Sequence, residues 1–133
     1  MEKICINGRD ELLILDLTKI ACFKADTDYT KAYYMSGLVS MLPMGLNKIE
    51  SVIAAAVPKS LSCDFVRVGR SYIVNQAYLY RIQVLHQKLI LSDGTKLLTL
   101  PVTKEALKRY KQYIHERYTK GSSTNQEGSP QKA

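Results

Sequence analysis

Asn7-Gly8 and Asp93-Gly94 each sit between runs rich in Ile, Leu, Val and Tyr, which commits much of this chain to antiparallel strands. Both central residues of a type I′ turn need positive φ, which Asn, Asp and Gly tolerate, so each dipeptide predicts a tight hairpin. The second is the clearer, with residues 88–92 entering it and 95–100 leaving. Residues 11–15, 17–24 and 30–42 read as further strands on their β-branched and aromatic content. Two segments read as helices instead. Leu46, Ile49, Ile53 and Ala56, with Val52 beside them, recur at the spacing of one buried helical face. Asn47 is the expected cap and Pro58 the expected stop. A second helix is predicted after Thr103, which can cap it while Glu105 lies near its positive end. Its apolar stripe is Leu107, Tyr110 and Ile114, and Lys108, Arg109, Lys111 and Arg117 fill the other faces. The expected fold is therefore mainly β, with one central helix and one C-terminal helix.

At 133 residues there is room for one domain. The last fifteen residues, 119–133, contain no large apolar side chain, so they read as a disordered tail behind a domain spanning 1–118. The basic excess belongs to that domain. The whole chain carries +7, and removing Lys120, Lys132 and Glu127 leaves +6 over residues 1–118. Such a surplus favours a polyanionic partner, because basic groups that neutralise phosphates release condensed counterions. No apolar run is long enough for a membrane-spanning helix, and the N-terminus lacks a signal-peptide core, so a cytoplasmic protein is expected.

Catalytic chemistry is poorly supplied. Cys5, Cys22 and Cys63 are odd in number, widely spaced and without a CxxC pair, which argues against a disulfide framework or zinc site. Each lies in an apolar stretch and reads as a small buried hydrophobe. His86, in a strand region, and His115, near a helix end, have no neighbour at metal-ligand or nucleophile–base spacing. Ser71 follows Gly69-Arg70, but Ile73 stands where a nucleophile elbow needs its second glycine. No glycine-rich phosphate loop exists. The chain is expected not to be an enzyme and to need no cofactor or metal.

Binding a nucleic acid is the better lead, although the two predicted helices are too far apart for a helix-turn-helix. Three loop regions offer polar and basic groups: Asp26 to Lys31, Arg67 to Tyr72, and Pro101 to Lys104 at the start of the last helix. Free backbone N–H groups at that helix start suit a phosphate.

The run Phe65-Val66-Arg67-Val68-Gly69-Arg70-Ser71-Tyr72-Ile73-Val74-Asn75 resembles the signature of the LytTR-type DNA-binding domain of bacterial transcription regulators. Other features follow in that family's order: Ile20 to Asp26 running into Tyr29, a helix around Leu46 to Ile49, then Ser92-Asp93-Gly94-Thr95 and Leu100-Pro101-Val102-Thr103. The likeness covers about residues 3–114. It implies stacked antiparallel sheets with few helices, and loops inserted into successive major grooves of bent double-stranded DNA at promoter repeats. Carried over by position, the first reading loop falls at Thr30 and Lys31, the second at Gly69, Arg70 and Ser71, and the third at Thr103 and Lys104. Gly69 stands where the family commonly has His, so one polar contact is lost or moved. Asn75 matches the closing Asn and reads as structural, satisfying backbone around the turn.

Plainer roles stand beside these. Arg70 suits a surface ion pair, Lys31 and Lys104 suit ordinary solvent-facing positions, and Thr103 suits a helix cap. Tyr29, Tyr33, Tyr34 and Tyr72 fit core or sheet-face positions better than base stacking. The rival reading for the whole chain is a protein-interaction module with a basic surface. An RNA-binding protein is a weaker rival, since the aromatic pair of an RNA-recognition strand motif is absent. The receiver domain common in the family would need on the order of 100 residues, so DNA binding without one is expected. No heptad or other dimer element is visible, so a monomer that pairs on DNA is expected.

Overall fold

Every strand pairing among the described residues is antiparallel, and ten strands divide into three sheets. The computed structural model describes residues 2–56 and 64–121. Pro58, Cys63 and residues 122–133, where the sequence predicts a helix stop, a buried thiol and most of the tail, lie outside them. Strands β1 (Lys3–Asn7) and β2 (Leu12–Asp16) form a two-stranded sheet. β3 (Ile20–Asp26), β4 (Tyr29–Tyr34), β5 (Val39–Leu42), β6 (Phe65–Val68) and β7 (Tyr72–Asn75) form a five-stranded sheet in the order β5-β4-β3-β7-β6. β8 (Leu79–Gln83), β9 (Lys88–Ser92) and β10 (Leu97–Pro101) form the third. Helix α1 (Leu46–Ala56) follows β5, and α2 (Lys104–Gly121) follows β10.

The five-stranded sheet carries packing on both faces, with the edge strand β5 exposed at Val39 and Met41. On one side Phe23, Ala32, Leu42 and Ile73 pack with Ile4, Ile6 and Leu15 of the first hairpin and Leu46, Ile49 and Ile53 of α1. On the other, Cys22, Val68, Tyr72 and Val74 pack with Leu89, Leu91 and Leu100 of the third sheet and Ala106, Leu107 and Tyr110 of α2. A strand buried on both faces loses apolar–polar alternation, which is why β3 begins with four buried residues in succession. A bulge between Ile20 and Cys22 sends Ala21 and Cys22 to the same core.

Several boundaries differ from the sequence expectation. Residues 30–42 are not one strand: Gly37, at φ +103°, breaks them into β4 and β5. Residues 17–24 open with a 3-10 turn over Leu17–Lys19, capped by Asp16. Neither hairpin dipeptide makes a two-residue turn. Asn7 pairs with Leu12 and Ser92 with Leu97, so each loop holds four residues, and Gly8 does not take positive φ. Instead Gly8 N–H bonds the Glu11 carbonyl at 2.8 Å. Cys5 is exposed because β1 turns alternate residues outward, while Cys22 is buried. His86 lies in the exposed turn between β8 and β9 rather than in a strand.

Asn47 is inside α1 and does not cap it; the Gly45 carbonyl accepts from Lys48 and Ile49 N–H instead. Thr103 does cap α2, its Oγ1 accepting from Ala106 N–H at 3.3 Å. The helix runs on to Gly121, so residues 119–121 of the expected tail are helical. Asn75 has the structural role read from the sequence. Its Oδ1 accepts from Ala77 N–H, capping the 3-10 turn Gln76–Tyr78, and its Nδ2 donates to the Leu17 and Ile20 carbonyls. Tyr78 Oη adds a hydrogen bond to the Thr18 carbonyl, tying the two 3-10 turns together.

Candidate nucleic-acid interface

Antiparallel connectivity brings distant pieces of sequence to one end of the five-stranded sheet. β3 ends there at Asp26, β4 starts at Tyr29, β5 ends at Leu42, and β6 and β7 meet through Gly69, Arg70 and Ser71. The Ala25 N–H donates to the Ser71 carbonyl at 2.8 Å, holding the β3–β4 and β6–β7 turns side by side. Gly69 has φ +65°, and a Cβ there would lie 3.3 Å from the Ala106 Cβ. That close approach seats the β6–β7 turn on the first turn of α2, so Thr103 and Lys104 join the same end. α1 also starts here, immediately after the loop that follows Leu42, and carries no acidic residue in its first turn. Two helix N-termini thus direct partial positive charge and unpaired N–H groups towards one region.

The individual side chains differ in what they can offer. Arg70 and Ser71 are exposed, and the Arg70 guanidinium has no ion-pair or hydrogen-bond partner among the described residues. Thr103 and Lys104 are exposed as well. Thr30 is a correction: it is fully buried, and its hydroxyl donates to the Met44 carbonyl at 2.9 Å. In this fold it fastens the β5–α1 connection and presents nothing to a duplex. Lys31 lies on the sheet face and not in a loop, with Nζ 3.6 Å from an Asp26 oxygen. Tyr29, the first residue of β4, is 50% exposed beside the turn, while Tyr72 is buried.

The register also supplies residues that the sequence reading missed. Met41, Lys31, Lys24, Tyr72 and Val68 form one row across all five strands, and residues in such a row share a face. Lys24 therefore stands directly opposite Lys31, a like-charge pair that a bound polyanion would relieve. Arg109 lines the groove between α2 and the β6–β7 turn, together with Arg67, Arg70 and Tyr113. No local motif points to either residue, because each is defined by its neighbours in space.

The fold has other polar features of structural use. Burial pushes the Cys22 thiol up to about 12, so it stays protonated near neutral pH and acts as packing. Among the described residues, no group of three His, Cys, Asp or Glu is placed to hold a metal ion. No helix among them is long and apolar enough to cross a membrane.

A family model described as LytTr DNA-binding domain matches residues 10–115. The chain belongs to this family. The LytTr domain of a methyl-accepting/DNA response regulator from Bacillus cereus has a similar structure, with a TM-score of 0.59. It is 19% identical in sequence, and the alignment covers 86% of this chain and 97% of that one. No curated protein matches in sequence. The mainly β architecture of this LytTr domain, with two helices among the described residues, agrees with the sequence expectation.

Proposed function

We propose that this LytTr domain is a bacterial transcription regulator that recognises double-stranded DNA by sequence, through the shared end of the five-stranded sheet. Arg70 and Ser71, carried by the left-handed Gly69, enter one major groove, and Thr103 and Lys104 at the start of α2 enter the next. Lys31, with Lys24 beside it, lies along the phosphates, and Thr30 acts from beneath by holding the β5–α1 connection. The observation that carries this reading is the groove that Gly69 and Arg70 share with Ala106 and Arg109, which brings two exposed basic elements to one surface. Membership of a family of DNA-binding domains supports a binding role over an enzymatic one. The domain acts as a monomer in solution and pairs on repeated half-sites, because a few loops bury limited surface.

The reading is tested by selection from a pool of random duplexes. An enriched motif is expected, and retention without enrichment would reduce the protein to a merely basic surface. Once the motif is known, Arg70→Ala is expected to weaken specific binding by about 1–3 kcal/mol and relax preference at one position, as for a guanidinium reading guanine. Arg70→Lys keeps the charge but loses the planar fork, so it should retain non-specific affinity and lose the base preference. Intact specific affinity in the combined Arg70→Ala, Lys104→Ala variant would exclude this interface.

A further inference from the structure

We infer that Arg67 is a positioning residue that sets the pose of the β6–β7 turn, and so of Arg70, by clamping it to α1. The inference rests on the DNA-binding reading but names a residue that is not among the proposed DNA contacts. Arg67 sits on β6 opposite Ile73, one residue before the strand ends and the turn begins. Its Nη2 donates to the Arg70 carbonyl at 2.9 Å, while Nη1 donates to Asn47 Oδ1 at 2.8 Å and Glu50 Oε1 at 2.9 Å. One planar guanidinium thus spans the backbone of the turn and two side chains of the helix.

The geometry is specific to arginine. A lysine has the charge and a similar reach, but a single nitrogen cannot hold acceptors on opposite sides of a rigid fork. The Arg67 Nε–H is buried with no partner, so the side chain is held in a pose that leaves one donor unsatisfied. Such an orphan donor is uncommon and calls for an explanation. The clamp supplies one: both Nη groups are committed to fixing the turn, and Nε is covered as a result. Arg70 needs that support. Its guanidinium has no partner among the described residues, so the orientation of its base-reading fork depends on how firmly its backbone is held. The Asn47–Arg67 contact also links the starts of α1 and the β6–β7 turn, two elements far apart in sequence.

The test compares Arg67→Lys, Glu50→Ala and Arg70→Ala, each as the full chain, on the selected duplex and on an unrelated one. Arg67→Lys is expected to lower specific affinity roughly tenfold or more, the loss associated with hydrogen bonds to a charged group. Its salt dependence should match the parent, because Arg67 contacts no phosphate. Arg70→Ala, in contrast, should change the slope by about one charge if it touches a phosphate. Losses should not add: Arg67→Lys combined with Arg70→Ala should bind no worse than Arg70→Ala alone. Glu50→Ala sharpens the test. It makes the domain more positive, so bulk electrostatics would tighten binding, whereas loosening the clamp weakens specific binding. In the free protein, NMR order parameters of the Arg70 amide should fall in both Arg67→Lys and Glu50→Ala. Unchanged order parameters, additive losses, or a salt slope reduced by one charge in Arg67→Lys would each overturn the clamp. A looser turn in both variants, with Arg70→Ala leaving specific affinity untouched, would uphold the clamp and overturn Arg70 as the base-reading residue of this interface.

Discussion

Gly69 is a position where the backbone demands a residue type. Its φ of +65° is a conformation that an L side chain enters at a penalty of roughly 1–2 kcal/mol. An added Cβ would lie 3.3 Å from the Ala106 Cβ, close enough that α2 would have to give slightly. A stiffer unfolded chain would return about 0.4–1 kcal/mol, so Gly69→Ala should destabilise the domain by about 1 kcal/mol net. Gly69→Asn should be milder at the backbone, because Asn tolerates the left-handed region. Urea unfolding of both variants checks this, and an unchanged midpoint for Gly69→Ala would remove the conformational argument. The same geometry bears on the missing histidine of the family: a larger side chain here needs both positive φ and room against Ala106.

Among the elements, the β9–β10 hairpin shows how a loop can be held by one carboxylate. Asp93 accepts from Lys96 N–H at 2.8 Å, Thr95 N–H at 2.9 Å and the Thr95 hydroxyl at 2.9 Å, and these bonds hold its carboxyl down to about 2. Gly94 supplies the positive φ, at +98°. A carboxylate with a lowered folded-state value stabilises the fold above its unfolded value near 3.8, and that contribution fades as pH falls towards 2. Asp93→Ala should therefore be less stable than the parent at neutral pH, with the gap narrowing from about pH 4 downward. Urea midpoints at neutral pH and near pH 2 measure it; an equal gap at both would show that ionisation is irrelevant to this loop. The full exposure of Asp93 makes the effect small and solvent-screened.

At the level of the whole molecule, the net charge of +7 acts through where it is presented. The interface end combines Arg70, Lys104, Lys48 and Arg109 with two helix starts, while Asp26, Asp28 and Glu105 of the first turn of α2 bring acidic charge. A single copy offers two exposed reading elements, so specificity gains from a second copy on an adjacent half-site. Sedimentation of the free protein at micromolar concentration should give one copy per particle, and the selected duplex should carry two. A tight dimer in the absence of DNA would contradict this arrangement.

Residues 65–75, the Thr103 cap, the apolar stripe of α2 and the strand-rich composition are local properties, and each was legible in the sequence because short-range sterics and periodicity express them directly. The hairpin loops are longer than their dipeptides predict because an Asx side chain or a backbone bond at Gly8 closes a four-residue loop as well as a dipeptide does. The division of residues 30–42 is hidden because one glycine, Gly37 at positive φ, breaks a run otherwise rich in apolar and aromatic residues. Burial of Thr30, the pairing of Lys24 with Lys31, and the Arg67 clamp depend on strand register and on which helix covers which face. Those are long-range pairings, and neighbouring residues along a chain carry no information about them.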